Sequence, residues 1–402
     1  MKIGIVREGK IPPDERVPLT PHQCKILLKQ YPNLDILVQP SKIRAFSDES
    51  YRNQGIAVQE DLTACEVLMG VKEVNLDDLI PDKTYFFFSH TFKKQPYNRK
   101  LLQTILARRI RLIDYELLTD SKGDRLVAFG YYAGIVGAYN GLRGWGIRNE
   151  GYELKPAHEC YDKFELEGQL HWVRFKKPVK ILVTGKGRVA SGAVEILEKA
   201  GIEKVTVDRF LHSNPTYSVF SQIGVEDYNI RSKDRGFDQA EFYKYPDRYE
   251  SNFNRFSRLT DLLITGHYWD SKAPFLFSRE EAKHPQFKIK MVADISCDID
   301  GPVASTIRPS TIAAPYYGYS PVEEKETDFM DLSAIGVMAV DNLPCELPRD
   351  ASNHFGNALI KKVIPALFNQ DKEAILYRAS QTDLHGKLMP KYTYLQDYVG
   401  VI

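Results

Sequence analysis

Two groups of residues in this chain have the types and spacing to do chemistry. The first is Val183-Thr184-Gly185-Lys186-Gly187-Arg188-Val189-Ala190-Ser191-Gly192, followed further on by Asp208. Glycines between a strand and a helix let the backbone turn sharply and approach a pyrophosphate, and the helix start adds free N–H groups and partial positive charge. An acid about 20 positions on can bind a ribose 2′-OH. That layout predicts a dinucleotide site at Gly185, Gly187, Arg188 and Val189. Ala190 stands where the third glycine of the pattern would be. A carboxylate at Asp208 repels a 2′-phosphate and so favours NAD; Lys186 and Arg209 keep NADP open. The second group is Arg7, Glu8, Arg16, Lys72, Glu73, His90, Lys93, Asp114 and Glu116, which suits proton transfer beside a substrate carrying carboxylates and an amine. Taken singly, each has an ordinary reading as a solvated charge, a core histidine or a surface ion pair.

These residues need elements to hold them. Apolar runs at 3–6, 36–38, 66–71, 85–89 and 111–113 read as strands, with helices such as 98–108 between many of them. Thr20, Pro21 and Gln23 make a helix start with a capping box. Alternating strands and helices predict a parallel, doubly wound sheet, whose ligands collect outside the carboxyl ends of the strands. Lys72, His90 and Glu116 each follow a different strand, so one edge should gather them. A helix over 131–148 leads to the strand at 179–183, and a further strand at 204–207 should end at Asp208. The expected architecture is α/β: two Rossmann-like domains with an interdomain cleft. The substrate domain covers 1–130 and 345–402, and the dinucleotide domain 131–344.

Composition limits the classes. The 402 residues carry 54 Lys and Arg against 53 Asp and Glu, a net charge of +1, which provides no field for nucleic acid. No apolar run approaches the length of a membrane helix. Five cysteines without metal spacing predict a reducing compartment and no metal. The strand at the amino terminus leaves no signal peptide, so a cytoplasmic location is expected.

Several strings, taken together, resemble one family: Arg16-Val17-Pro18-Leu19-Thr20-Pro21, Gly70-Val71-Lys72-Glu73, Phe88-Ser89-His90-Thr91-Phe92-Lys93, Leu112-Ile113-Asp114-Tyr115-Glu116, Val127-Ala128-Phe129-Gly130, Asp294-Ile295-Ser296-Cys297-Asp298 and Asp341-Asn342-Leu343-Pro344. They are similar to saccharopine dehydrogenase of the lysine-forming type, above all to the lysine–ketoglutarate reductase half of bifunctional aminoadipic semialdehyde synthase. The wider superfamily holds alanine dehydrogenase and the NAD-binding part of transhydrogenase. The resemblance spans nearly the whole chain. It implies that Lys72 and His90 are the acid/base pair, that Arg16 and Arg125 meet substrate carboxylates, and that Glu73 and Glu116 tune the pair, with Lys93 close by. It also implies that Asp298, Asn342 and Leu343 lie near the nicotinamide. Where the fungal enzymes have a cysteine in the glycine turn, this chain has Val189. The bifunctional proteins carry a second catalytic domain, for which 402 residues leave no room, and their reductase half is usually NADP-dependent.

The implied reaction joins lysine to 2-oxoglutarate as saccharopine, with hydride from NAD(P)H. Two alternatives stay open: an alanine dehydrogenase-like enzyme acting on a smaller 2-oxo acid, and a silent NAD-binding protein. Oligomeric state is undetermined.

Overall fold

Lys2–Ile5 (β1), Asp35–Val38 (β2), Ala57–Val58 (β3), Val67–Met69 (β4), Thr84–Phe87 (β5) and Arg111–Asp114 (β6) form one sheet in the computed structural model, which describes residues 1–400. Their order is β3-β2-β1-β4-β5-β6, and every pair is parallel. Ile3, Ile5, Leu68, Phe86 and Ile113 are all buried, which is why these strands read as continuous apolar runs. The strand order reverses between β1 and β4, so the carboxyl ends there open a crevice. The helix Pro21–Gln30 starts as its sequence predicts: Thr20 caps it and Gln23 completes the box. The Gln23 amide nitrogen also donates to Asn353 O at 2.7 Å and Asn357 Oδ1 at 2.8 Å, both on the helix Pro348–Lys362. Phe129 and Phe355 stack with ring centroids 4.4 Å apart. These contacts place the late helix in the first of the chain's two units, Met1–Phe129 together with the chain from Pro348 onward.

The second unit, Gly130–Leu347, carries Lys180–Thr184 (β7), Glu203–Lys204 (β8), Val219–Ile223 (β9), Asn229–Arg231 (β10), Tyr249–Ser251 (β11), Leu262–Thr265 (β12), Met291–Asp294 (β13), Tyr316–Ser320 (β14), Lys325–Thr327 (β15) and Ile335–Met338 (β16). Its main sheet runs β15-β14-β16-β13-β12-β7-β9-β8. The six strands from β16 to β8 are parallel, whereas β14 and β15 pair antiparallel. The sheet is therefore mixed at one edge rather than wholly parallel. β10 and β11 form a separate antiparallel ribbon. The helix Gly130–Trp145 crosses the helix Arg188–Lys199 at very close range. A Cβ on Gly134 would lie 1.9 Å from Val189 O, and one on Gly192 would lie 2.1 Å from Tyr131 O. Only glycine allows this approach.

One expectation is corrected here. The strand read over 204–207 stops at Lys204, because the Thr206 side chain accepts from Arg209 N and starts the helix Val207–His212. Asp208 sits in the first turn of that helix, its side chain 88 % exposed and paired with His212 at 3.0 Å. β8 is also not the neighbour of β7; β9 lies between them. Two strand spacings set β8 about 10 Å from β7. Asp208 therefore does not stand where an acid beside the glycine turn must be.

Candidate active-site residues

In the first unit, four strand ends deliver the chemistry-bearing side chains. Glu8 follows β1, Lys72 and Glu73 follow β4, His90 follows β5 and Glu116 follows β6. Because β4, β5 and β6 are consecutive neighbours, Lys72, His90 and Glu116 share one edge. His90 Nδ1 lies 3.3 Å from Glu73 Oε1, and its Nε2 lies 3.9 Å from Glu116 Oε2. Each carboxylate is balanced by a second cation. Lys10 donates to Glu73 at 2.6 Å, Lys93 pairs with Glu116 at 3.0 Å, and Arg125 also pairs with Glu116. Burial pushes the Glu73 carboxyl up, but hydrogen bonds from His90 and Lys10 hold it down at about 2. Glu73 is therefore an anion at neutral pH, and the His90 ring has a carboxylate on either side of it.

The backbone holding these groups is strained and then pinned. His90 has φ +53, a left-handed conformation that a non-glycine residue adopts at a cost. Asp114, at the end of β6, fastens it: Oδ2 accepts from Ser89 N at 2.9 Å, Ser89 Oγ at 2.6 Å and His90 N at 3.2 Å. Asp114 Oδ1 accepts from Glu116 N at 2.7 Å. One buried carboxylate thus sets both His90 and Glu116. Glu8 does the same for Lys72: its two oxygens accept from Val71 N at 2.6 Å and Lys72 N at 2.8 Å. Burial pushes the Glu8 carboxyl up to about 8, against the pull of those two amides. Arg16, 3 % exposed, is gripped by Asp14 through Nε at 3.0 Å and Nη2 at 2.6 Å, and its guanidinium lies 4.2 Å from the Phe129 ring centroid. Asp14 is held at about 2, the Arg16 charge overcoming burial. The positioning roles of Glu8, Asp14 and Asp114 escaped the sequence reading. The signal was present as acids at strand ends, but which backbone amides they meet is a tertiary fact.

In the second unit, Gly185 leaves β7 with φ +97, and a Cβ there would lie 2.6 Å from Gly266 O, at the end of β12. This is where strand order reverses, the usual place for a nucleotide. Gly187 caps the helix Arg188–Lys199, and a Cβ on it would meet nothing within 4 Å. The space in front of Gly187 is open to a ligand, and Arg188 and Val189 form the first turn behind it. Asp298 follows β13, and Asn342 and Leu343 follow its neighbour β16, on the same carboxyl edge. Burial, then the nearby Asp294 charge, pushes Asp298 up to about 6. His267 follows β12; its Nδ1 lies 2.7 Å from Thr184 Oγ1, and its Nε2 is buried without a partner. Burial lowers the His267 pKa to about 4, so the ring is neutral. An open glycine cradle beside an orphaned ring nitrogen fits a dinucleotide.

Residues 4–136 match the family described as alanine dehydrogenase/PNT, N-terminal domain. The chain is 30% identical over 429 residues to mouse alpha-aminoadipic semialdehyde synthase, mitochondrial, covering 95% of this chain and 46% of that protein. It thus spans about half the length of that relative. It is 25% identical to saccharopine dehydrogenase [NAD(+), L-lysine-forming] of Emericella nidulans, covering 90% of this chain and 91% of that one. Among solved structures, an L-alanine dehydrogenase superposes with a TM-score of 0.68 at 18% identity over all of both chains, a likeness of fold. No helix among the described residues is long and apolar enough to cross a membrane.

Proposed function

With residues 4–136 matching the alanine dehydrogenase/PNT N-terminal domain family and 90% of the chain similar to a saccharopine dehydrogenase, we propose that this protein is an NAD(P)-dependent oxidoreductase that interconverts saccharopine with lysine plus 2-oxoglutarate. The observation that carries this reading is His90 held between Glu73 and Glu116, one strand end from Lys72. Joining an amine to a keto group requires a proton taken from the attacking ammonium, one given to the departing hydroxyl, and a carbinolamine in between. A histidine and a lysine on one edge serve those transfers, and positioned proton transfer contributes about 10²–10⁴-fold. Glu73 and Glu116 stabilise the imidazolium as it forms and offer anionic partners to a substrate ammonium. Arg16, oriented by Asp14, and Arg125 bind substrate carboxylates and fix the carbon to be reduced.

Gly185, Gly187, Arg188 and Val189 would hold the pyrophosphate of the nucleotide, with Asp298, Asn342 and Leu343 beside its nicotinamide. Hydride for the imine carbon is the chemistry the nucleotide supplies when bound. The neutral His267 ring would offer its orphaned nitrogen without adding charge.

The test is loss of 340 nm absorbance with lysine, 2-oxoglutarate and NADH, against pyruvate plus ammonia as the competing pair. We expect turnover with the first pair. His90→Ala and Lys72→Ala should each lower it by about 10²–10⁴-fold while NADH still binds. Near-normal rates in both variants, or turnover only with pyruvate and ammonia, would refute the proposal.

A further inference from the structure

The strand order of the second unit sets Asp208 away from the glycine turn. The strand beside β7 is β9, and the loop after β9 lies against the glycine turn. Gly185 N donates to Ile223 O at 2.8 Å, and Gln222 Nε2 donates to Gly185 O at 2.9 Å. Three residues beyond β9, Glu226 forms an ion pair with Lys186 of the turn itself. Its side chain is 39 % exposed, within reach of a ligand at the turn. The position that a ribose acid must take, at the end of the strand next to the glycine turn, is thus occupied by Glu226.

A second, independent observation points to the same place. Val225 and Tyr228, on either side of Glu226, line a narrow recess together with Phe242, His267 and Trp269. Its walls are mainly aromatic and apolar. Two buried polar atoms in those walls, Tyr228 OH and His267 Nε2, have no partner. Buried polar groups are nearly always paired. A flat heteroaromatic base with ring nitrogens and an exocyclic amine carries donors and acceptors of the kind such atoms lack, and it stacks on aromatic walls.

We propose that Glu226 reads the ribose 2′ position of the dinucleotide, with the adenine base in the adjoining recess, and that it makes the chain selective for NAD over NADP. The inference rests on the dinucleotide reading given above. A carboxylate accepts a hydrogen bond from a 2′-OH and repels a 2′-phosphate. Lys186 sets the Glu226 carboxylate in place and would itself attract a 2′-phosphate once that carboxylate is lost.

The experiment is fluorescence titration of the full chain with NADH and with NADPH. We expect the wild type to bind NADH at least about tenfold more tightly, as a charge-assisted hydrogen bond allows. Glu226→Gln should weaken NADH binding, strengthen NADPH binding and bring the ratio near one. Asp208→Asn should leave both affinities as in the wild type. Tyr228→Phe should weaken both nucleotides by a similar factor and leave their ratio intact. Glu226 is partly exposed, and unchanged far-ultraviolet circular dichroism of the variant checks that it folds. An NADPH preference in the wild type, an unchanged ratio in Glu226→Gln, or a ratio that moves with Asp208→Asn would overturn the assignment while leaving the dinucleotide site standing. Failure of the wild type to bind either nucleotide would bring down the dinucleotide reading and this inference with it.

Discussion

At the scale of single residues, the first unit works by carboxylates that grip backbone. Glu8 accepts from two consecutive amides, Val71 N and Lys72 N, with both oxygens, a geometry that belongs to the ionised group. Burial pushes its pKa up to about 8, with Asp14 nearby adding to the rise and Arg16 opposing it. The sign follows directly. Below that value the carboxyl carries a proton and holds the Lys72 peptide less firmly; as pH rises through it, the anion forms and the hold tightens. Turnover of the wild type should therefore climb across about pH 8. In Glu8→Gln that limb should flatten and kcat should fall about tenfold, since the amide nitrogen cannot accept from an N–H. A pH–rate profile of both proteins decides it; the same alkaline limb in the variant would exclude Glu8. His90 itself was legible as a histidine after a strand. Its pinning by Asp114 was not, because that contact joins residues 24 positions apart.

At the scale of elements, glycines do two different jobs in the second unit. Gly134 and Gly192 let two helices touch backbone to backbone. A Cβ at either meets a carbonyl oxygen that cannot swing aside. Gly134→Ala should cost about 1–3 kcal/mol of stability, read as a lower urea midpoint. Gly187 stands in open space with φ −88. Gly187→Ala should fold with unchanged stability yet bind NADH several-fold more weakly, because the added methyl occupies the approach to the helix start. A stable variant with full affinity would remove Gly187 from the cradle. The strand–turn–helix pattern around it was readable from sequence because each part of it is local. The close helix crossing is a fact of packing and needed the structure.

At the scale of the whole chain, the two units differ in how they are threaded. Gly130–Leu347 is continuous and contains its own sheet and core, whereas the first unit needs the returning segment. Val17 N donates to Ser352 Oγ at 2.9 Å, and Leu112 N donates to Thr382 Oγ1 at 2.9 Å. A fragment of residues 130–347 should fold and retain NADH binding, while residues 1–129 alone should stay largely unfolded by circular dichroism. A folded 1–129 fragment would contradict this account of the threading. The sequence by itself determined the α/β class, the strands whose ends carry Lys72, His90 and Glu116, and the glycine turn at 185–187. Periodicity, capping and turn chemistry act over a few residues, so they can be read along the chain. Tertiary structure alone decided that β9 lies beside β7 and that Glu226, not Asp208, stands next to the turn. Sheet order is chosen by which apolar faces pack together across the fold, and distance along the chain carries no record of that choice.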